Sequence, residues 1–268
     1  MNVALWDNTE HSTALSLVQP LPFSKYLPLV SEIEWEDDSL PGFLDHNLPK
    51  LSKLVFGDAF NMVLSKVPPT ITHLTFGRSY NRPVTNLPDS ITHLNFGYQF
   101  SQPLSLASLS ALTHVTFGHY FDWSIDNLPN NVQHISLPGY YNQPISSFPS
   151  QLIELVFIDI VSRFNHPLIL PDTLRLLKLP YSFNQHIDLP ASLLRLYLGS
   201  KFNQPIILPH NLIIVEFGDH FNQHIVLPKN LQRFSLGYQF RQPIDFPNGF
   251  VPYTYPPGNR WIHHYLAN

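Results

Sequence analysis

Residues Ile91–Leu109 read ITHLNFGYQFSQPLSLASL, and Ile71–Pro88 reads ITHLTFGRSYNRPVTNLP. Both fit one template, L-x-x-L-x-(F/L)-G-x-x-(F/Y)-N-Q-(P/H)-I, closed two or three residues later by L-P. The template recurs along most of the chain. Its Leu-Pro corner, or an equivalent, falls at Pro49, Pro68, Pro88, Ser110, Pro129, Pro149, Pro171, Pro190, Pro209, Pro228 and Pro247. That spacing of 19 to 22 residues delimits ten repeats. A fixed period of this kind is the signature of a solenoid, in which each repeat buries its apolar face only against its neighbours.

The template has a physical logic. In L-x-x-L-x-F the last two apolar residues alternate, the period of a short β-strand with one buried face. Stacking repeats sets such strands parallel in one sheet, about 4.8 Å apart. The glycine that follows lets the chain turn where a Cβ would obstruct. The aromatic residue three positions later and the Ile, Val or Leu beyond it point back into the core. Proline fixes φ and keeps the return leg extended, and 19 residues leave no room for a proper helix. The expected fold is therefore mostly β, with little helix: a leucine-rich-repeat-like solenoid, a parallel β-sheet on one face and turns and extended segments on the other.

Composition agrees. The 26 prolines among 268 residues punctuate the repeat, and large apolar residues recur between them, which argues against disorder. A formal charge of −4 gives no general attraction to nucleic acid or to an anionic membrane. There are no cysteines, which excludes disulfides, thiolate metal sites and a cysteine nucleophile. Residues 1–30 lack a signal-peptide pattern, and no apolar run approaches the ~20 residues of a membrane span. The expectation is a soluble intracellular protein.

Three segments follow from the repeat. Residues 1–47 form a lead-in and a degenerate capping repeat in which Val30, Ile33 and Trp35 take the apolar places amid Glu32, Glu34, Glu36, Asp37 and Asp38. Residues 48–247 are the ten repeats, and 248–268 form a C-terminal cap whose aromatic tail is expected to cover the last coil. Two repeats are longer than the rest, at 103–110 and at 157–164, and each addition is either a loop on a binding face or a tolerated bulge.

The aromatic residue is followed by asparagine at Asn61, Asn81, Asn142, Asn165, Asn184, Asn203 and Asn222. Buried backbone groups at such an inward turn need partners. An asparagine amide can donate to the carbonyl of one coil and accept from the N–H of the next. These seven are expected to form a structural ladder, with Arg241 outside it.

The recurring F-N-Q-P-I, as in Phe202-Asn203-Gln204-Pro205-Ile206, resembles the signature of FNIP repeats, a leucine-rich-repeat-like family of social amoebae and amoeba-infecting giant viruses. The L-P-x-x-L-x-x-L-x-F half is similar to the short leucine-rich repeats of bacterial effectors. The resemblance implies a recognition solenoid and an amoebal or giant-virus origin. Many family members carry an N-terminal F-box, for which the residues ahead of the first repeat here are too few.

Candidate binding residues are those that the strands turn away from the core. One such column contains His73, His93, His114 and His134, then Arg195 and Arg233. The next contains Lys178 and Tyr197, and the rim beyond the strands carries Tyr98, His119, Tyr181, Asp219 and Tyr238. Four histidines at one strand position suggest a copied, cross-strand-bonded surface or a pH-sensitive one; a line of imidazoles is a poor match for the converging ligands of a metal. No metal or cofactor is expected. No nucleophile elbow, Walker loop, HExxH or dinucleotide fingerprint occurs, so the chain reads as non-catalytic. Its expected partner is a protein, since Tyr and Arg are common interface anchors; a glycan- or RNA-binding face and an architectural role in a larger particle are the alternatives.

Overall fold

The computed structural model describes residues 3–6, 30–38, 44, 48–158, 162–244 and 264–265. Outside them lie most of the lead-in, the Pro247 corner, residues 159–161 of the second long repeat, and all of the C-terminal cap except two residues.

The chain forms two compact units, residues 1–123 with 127–132 and residues 124–126 with 133–268. The first holds β1 (Val3–Trp6), β2 (Glu32–Trp35), β3 (Lys53–Phe56), β4 (His73–Thr75), β5 (His93–Asn95) and β6 (His114–Thr116). The second holds β7 (His134–Leu137), β8 (Glu154–Phe157), β9 (Leu176–Lys178), β10 (Arg195–Tyr197), β11 (Ile214–Glu216), β12 (Arg233–Ser235) and β13 (His264–Tyr265). Within each unit every strand pairs with the next in sequence, parallel from β2 to β6 and from β7 to β12. Each unit is a β-solenoid, with five parallel strands (β2–β6) in the first and six (β7–β12) in the second among the described residues, where no α-helix occurs.

The registers put like positions side by side: Lys53 faces His73, His73 faces His93, and Arg195 lies between Leu176 and Ile214. Two four-residue turns recur along the coils. At the corner, Ile71 donates its N–H to the Pro68 carbonyl and Leu193 to that of Pro190. After the strand, Phe100 donates to the Gly97 carbonyl and Phe202 to that of Gly199. The glycines are needed for close approach: a Cβ on Gly97 would sit 1.9 Å from the Gly77 carbonyl oxygen, and one on Gly118 1.7 Å from that of Gly97.

The core is a set of stacked columns. Leu54, Leu74, Leu94 and Val115 fill the strand column of the first unit, and Leu155, Leu177, Leu196 and Val215 fill that of the second, all essentially unexposed. In the first unit two aromatic columns run beside it. Rings of one coil stack at 4.0–4.2 Å (Phe56–Phe60, Phe76–Tyr80, Phe96–Phe100, Phe117–Phe121). In the second unit Phe164, Phe183, Phe202, Phe221 and Phe240 form one column at 6.1–6.3 Å spacing. Burying each such ring is worth about 2–3 kcal/mol, so the columns supply most of what holds coil to coil.

One pairing was not foreseen: Val3–Trp6 carries no trace of the repeat, yet it pairs antiparallel with β2. His264–Tyr265, in the tail expected to cover the last coil, pairs antiparallel with β12. Each covers an outer strand whose N–H and C=O groups would otherwise offer a template for further pairing. The first long repeat does not project as a loop. Leu106 and Leu109 are both buried, and the Leu109 N–H closes a tight turn onto the Leu106 carbonyl.

The asparagines bond between coils, but not in the manner expected. The Asn61 side-chain oxygen accepts from the Asn81 N–H at 2.9 Å, and that of Asn81 from the Ser101 N–H at 3.0 Å. In the second unit the chain of acceptors runs Asn165, Asn184, Asn203, Asn222, each taking the next coil's N–H at 2.7–2.9 Å and ending on the backbone of Arg241. The bond to the neighbouring carbonyl comes instead from the residue after asparagine: Gln204 donates to the Asn184 carbonyl and Gln223 to that of Asn203, both at 3.1 Å. Glutamine has the extra methylene that lets its amide reach back across a coil. Asn142 has a different neighbour, its carbonyl receiving Nε2 of His166 at 2.9 Å.

Candidate functional site

Burial alternates along the parallel strands, and the two columns that flank the buried one are half-buried or exposed except at Ser235, which is buried. In the first unit this face is built around His73, His93 and His114. Their rings stack at 4.1 and 4.0 Å with interplanar angles of 13° and 10°. Each ring is fixed by the threonine before it, whose hydroxyl lies 2.8–2.9 Å from Nδ1. Those hydroxyls, on Thr72, Thr92 and Thr113, also bond the carbonyl of the preceding coil at 3.1 Å. A hydroxyl has one hydrogen, here given to that carbonyl, so toward the ring it acts as the acceptor of Nδ1–H. The T-H-L triplet thus places an ordered imidazole at one level of the sheet after another.

Rings so nearly parallel aim their lone pairs along parallel lines, which do not converge on an ion as a tetrahedral site requires. Among the described residues no group of three or more His, Cys, Asp or Glu could hold a metal. His134 has a different setting: its Nδ1 lies 3.1 Å from the Glu154 carboxylate.

At the rim of the first unit the Arg78 guanidinium lies 4.9 Å above the Tyr98 ring, which stacks on His119 at 4.3 Å. Tyr120 meets both rings edge-on, at 5.2 and 5.1 Å. Arg78 and Tyr120 were not picked out in the sequence. The signal was present, because Arg78 holds in its repeat the position that Tyr98 and His119 hold in theirs. The start of this face is acidic. Glu32 is paired with Lys53 at 2.5 Å, while burial, then the charge and hydrogen bond of Glu34 and the charge of Asp58, push the Glu36 carboxyl up.

In the second unit the registers arrange a grid on β9–β12. Leu176, Arg195, Ile214 and Arg233 form its first column, and Lys178, Tyr197, Glu216 and Ser235 its second. Tyr181 and Asp219 form its rim, along an open trough of about 520 Å³. Arg233 pairs with Glu216 at 2.8 Å, and Ser200 donates to Asp219 at 2.9 Å. Of the sequence candidates, Lys178, Tyr197, Tyr181 and Asp219 are brought together here; Tyr238 lies beyond them, receiving an amide hydrogen of Gln239 at its hydroxyl.

The return-leg side of the second unit carries a feature that the sequence reading passed over. Ile169, Ile207 and Val226 are 83%, 90% and 76% exposed, and the last two flank a cleft of about 730 Å³. Each holds the position two residues before the corner proline, a place read only as part of an extended leg. No helix among the described residues is long and apolar enough to cross a membrane.

The FNIP Repeat family model matches residues 80–120, 124–159 and 164–201. The solved structure of CroV588, described as a novel circular LRR protein, is 33% identical with a TM-score of 0.65; the alignment covers 81% of this chain, which spans only 38% of that one. YopM from Yersinia enterocolitica aligns over 81% of this chain and 62% of its own, but at 17% identity and a TM-score of 0.33, too loose to argue from. No curated protein sequence matches the chain. Residues 80–201 thus carry FNIP repeats, set in a parallel solenoid of leucine-rich-repeat-like fold.

Proposed function

We propose that the chain is a non-catalytic recognition solenoid, an amoebal or giant-virus factor that engages a protein partner through the outward face of its sheet. The observation that carries this reading is the contrast between the two sides of each strand. The buried positions repeat Leu, Ile, Val and Phe almost without change, whereas the outward column passes through Lys53, His73, Glu154, Leu176, Arg195 and Ile214. A face whose only task was stacking would have no use for that variety. Repeat solenoids of this type commonly serve as interaction scaffolds, and Tyr and Arg are favoured interface anchors.

The test is affinity capture of partners from amoebal lysate by wild type and by a variant with His93, His114, Arg195 and Arg233 changed to Ala. The variant is expected to fold, since all four side chains are outward, and to lose the captured protein. A partner retained by both would move the recognition surface off the sheet face and overturn this reading.

A further inference from the structure

We infer that the outward face of β9–β12 with its trough holds an extended, acidic peptide segment of the partner, its carboxylates on Lys178 in the trough and on Arg195 beside it, and an apolar side chain against Tyr197. This rests on the sheet face being the recognition surface, and adds what that face recognises.

The argument begins with which charges are satisfied. Within and beside the grid, Arg233 is paired with Glu216, Asp219 takes the Ser200 hydroxyl, and Glu154 is engaged by His134. Lys178 and Arg195 remain: both are exposed, and neither has a carboxylate within 4 Å among the described residues. They are neighbours. Register places Lys178 directly beside Tyr197 on the adjacent strand, and Arg195 lies two residues before Tyr197 on the same face. Two cations therefore flank one aromatic ring.

The surroundings select the form of the ligand. Leu176 and Ile214 flank Arg195 in its column, so this cation has apolar neighbours on both sides, next to the trough that Lys178 and Tyr197 line. The trough crosses successive coils about 4.8 Å apart, and an extended chain advances about 3.3 Å per residue, so some six residues of an extended peptide would span β8 to β12. A guanidinium offers a carboxylate two parallel donors, and a desolvated ion pair of this kind outweighs one in open water. A polyphosphate backbone suits the trough poorly. It would carry negative charge at every step past Glu216 and Asp219, both in the lining, on a chain of net charge −4. A peptide sets its carboxylates only where the cations are.

The experiment uses the full chain and two fluorescein-labelled nonapeptides of Leu and Tyr, one alternating with Asp and Glu and the other with Asn and Gln, read by fluorescence anisotropy. The acidic peptide is expected to bind about tenfold more tightly than its amide twin, the loss of one or two charge-assisted bonds. In the double variant Lys178→Gln, Arg195→Gln that difference should vanish, while Tyr197→Ala should weaken both peptides. Matching thermal melts establish that the variants fold. Equal affinity for the two peptides, with Tyr197→Ala still weakening both, would overturn the acidic preference and leave the sheet-face reading standing. Binding that no face variant alters would overturn both, and absence of peptide binding would overturn the inference. An oligouridylate that binds more tightly than the acidic peptide would replace it with a nucleic-acid site.

Discussion

Tyr80 occupies a column otherwise filled by phenylalanine, stacked between Phe60 at 6.0 Å and Phe100 at 6.2 Å. Its ring is fully buried and its hydroxyl has no hydrogen-bond partner among the described residues. A buried polar group left unsatisfied costs about 1–3 kcal/mol. Burial accordingly pushes the phenol up to about 12, with the positive charge of Arg82 acting the other way. The shift is upward, so the stability tied to this proton is fully present below the ordinary phenol value and is lost as pH rises through the folded one. Tyr80→Phe is therefore expected to raise stability by about 1 kcal/mol near neutrality, a few degrees in Tm. It should also reduce the loss of stability between about pH 10 and 12. Thermal melts of both proteins at neutral and alkaline pH measure this. A lower Tm in the variant would mean that the hydroxyl has a partner after all.

At the scale of the element, turns on neighbouring return legs are tied by side chains as well as by stacking. Asp126 Oδ1 accepts the Ser146 N–H at 2.9 Å, and the Asp126 N–H bonds the Ser124 hydroxyl at 3.2 Å. Burial raises the Asp126 carboxyl, but the backbone and hydroxyl of Ser146, the hydroxyl of Ser124 and the backbone of Ser147 together outweigh it and hold the group below its ordinary value. Stability from this carboxylate is thus present above about pH 4 and lost as pH falls through the depressed folded value. Asp126→Asn should cost a few tenths to about 1 kcal/mol at pH 7, discounted for its solvent exposure, and less at pH 3. Urea titrations at the two pH values measure it; an equal cost at both would assign the effect to shape and not to charge. The elements themselves were largely legible in the sequence, because alternation fixes the buried side of LTF or LNF and proline fixes the corner. What stayed hidden depends on register or on distance along the chain. The Arg233–Glu216 pair joins different columns of adjacent strands, so it needs the registration of two coils. Val3–Trp6 has no template to betray that its partner lies about thirty residues away, at Glu32–Trp35. The exposure of Ile207 was missed because apolar residues on a return leg read alike whether they point in or out.

For the whole molecule, stability should be close to a sum over coils and their interfaces, since each coil meets only its neighbours. Excising residues 71–90 from the first unit tests this, because it removes one complete period. Thr70 would then run into Ile91, whose N–H can reach the Pro68 carbonyl as that of Ile71 now does at 3.1 Å. Gly57 would face Gly97, Phe60 would stack on Phe100, and the Asn61 oxygen would meet the Ser101 N–H that Asn81 now holds. Every column stays in phase, so the shortened protein should keep its β circular-dichroism signal and melt cooperatively, a few degrees lower for the lost interface. Removing only residues 71–80 is a smaller deletion, yet it should do more damage. It deletes β4 together with Phe76 and Tyr80, and sets Asn81 where Ile71 belongs, so that a polar side chain falls in the column of Leu51 and Ile91. That variant should fail to fold. Were it to melt as well as the twenty-residue deletion, the coil would not be the unit of stability, and the phase of the repeat would matter less than the amount of apolar surface it buries.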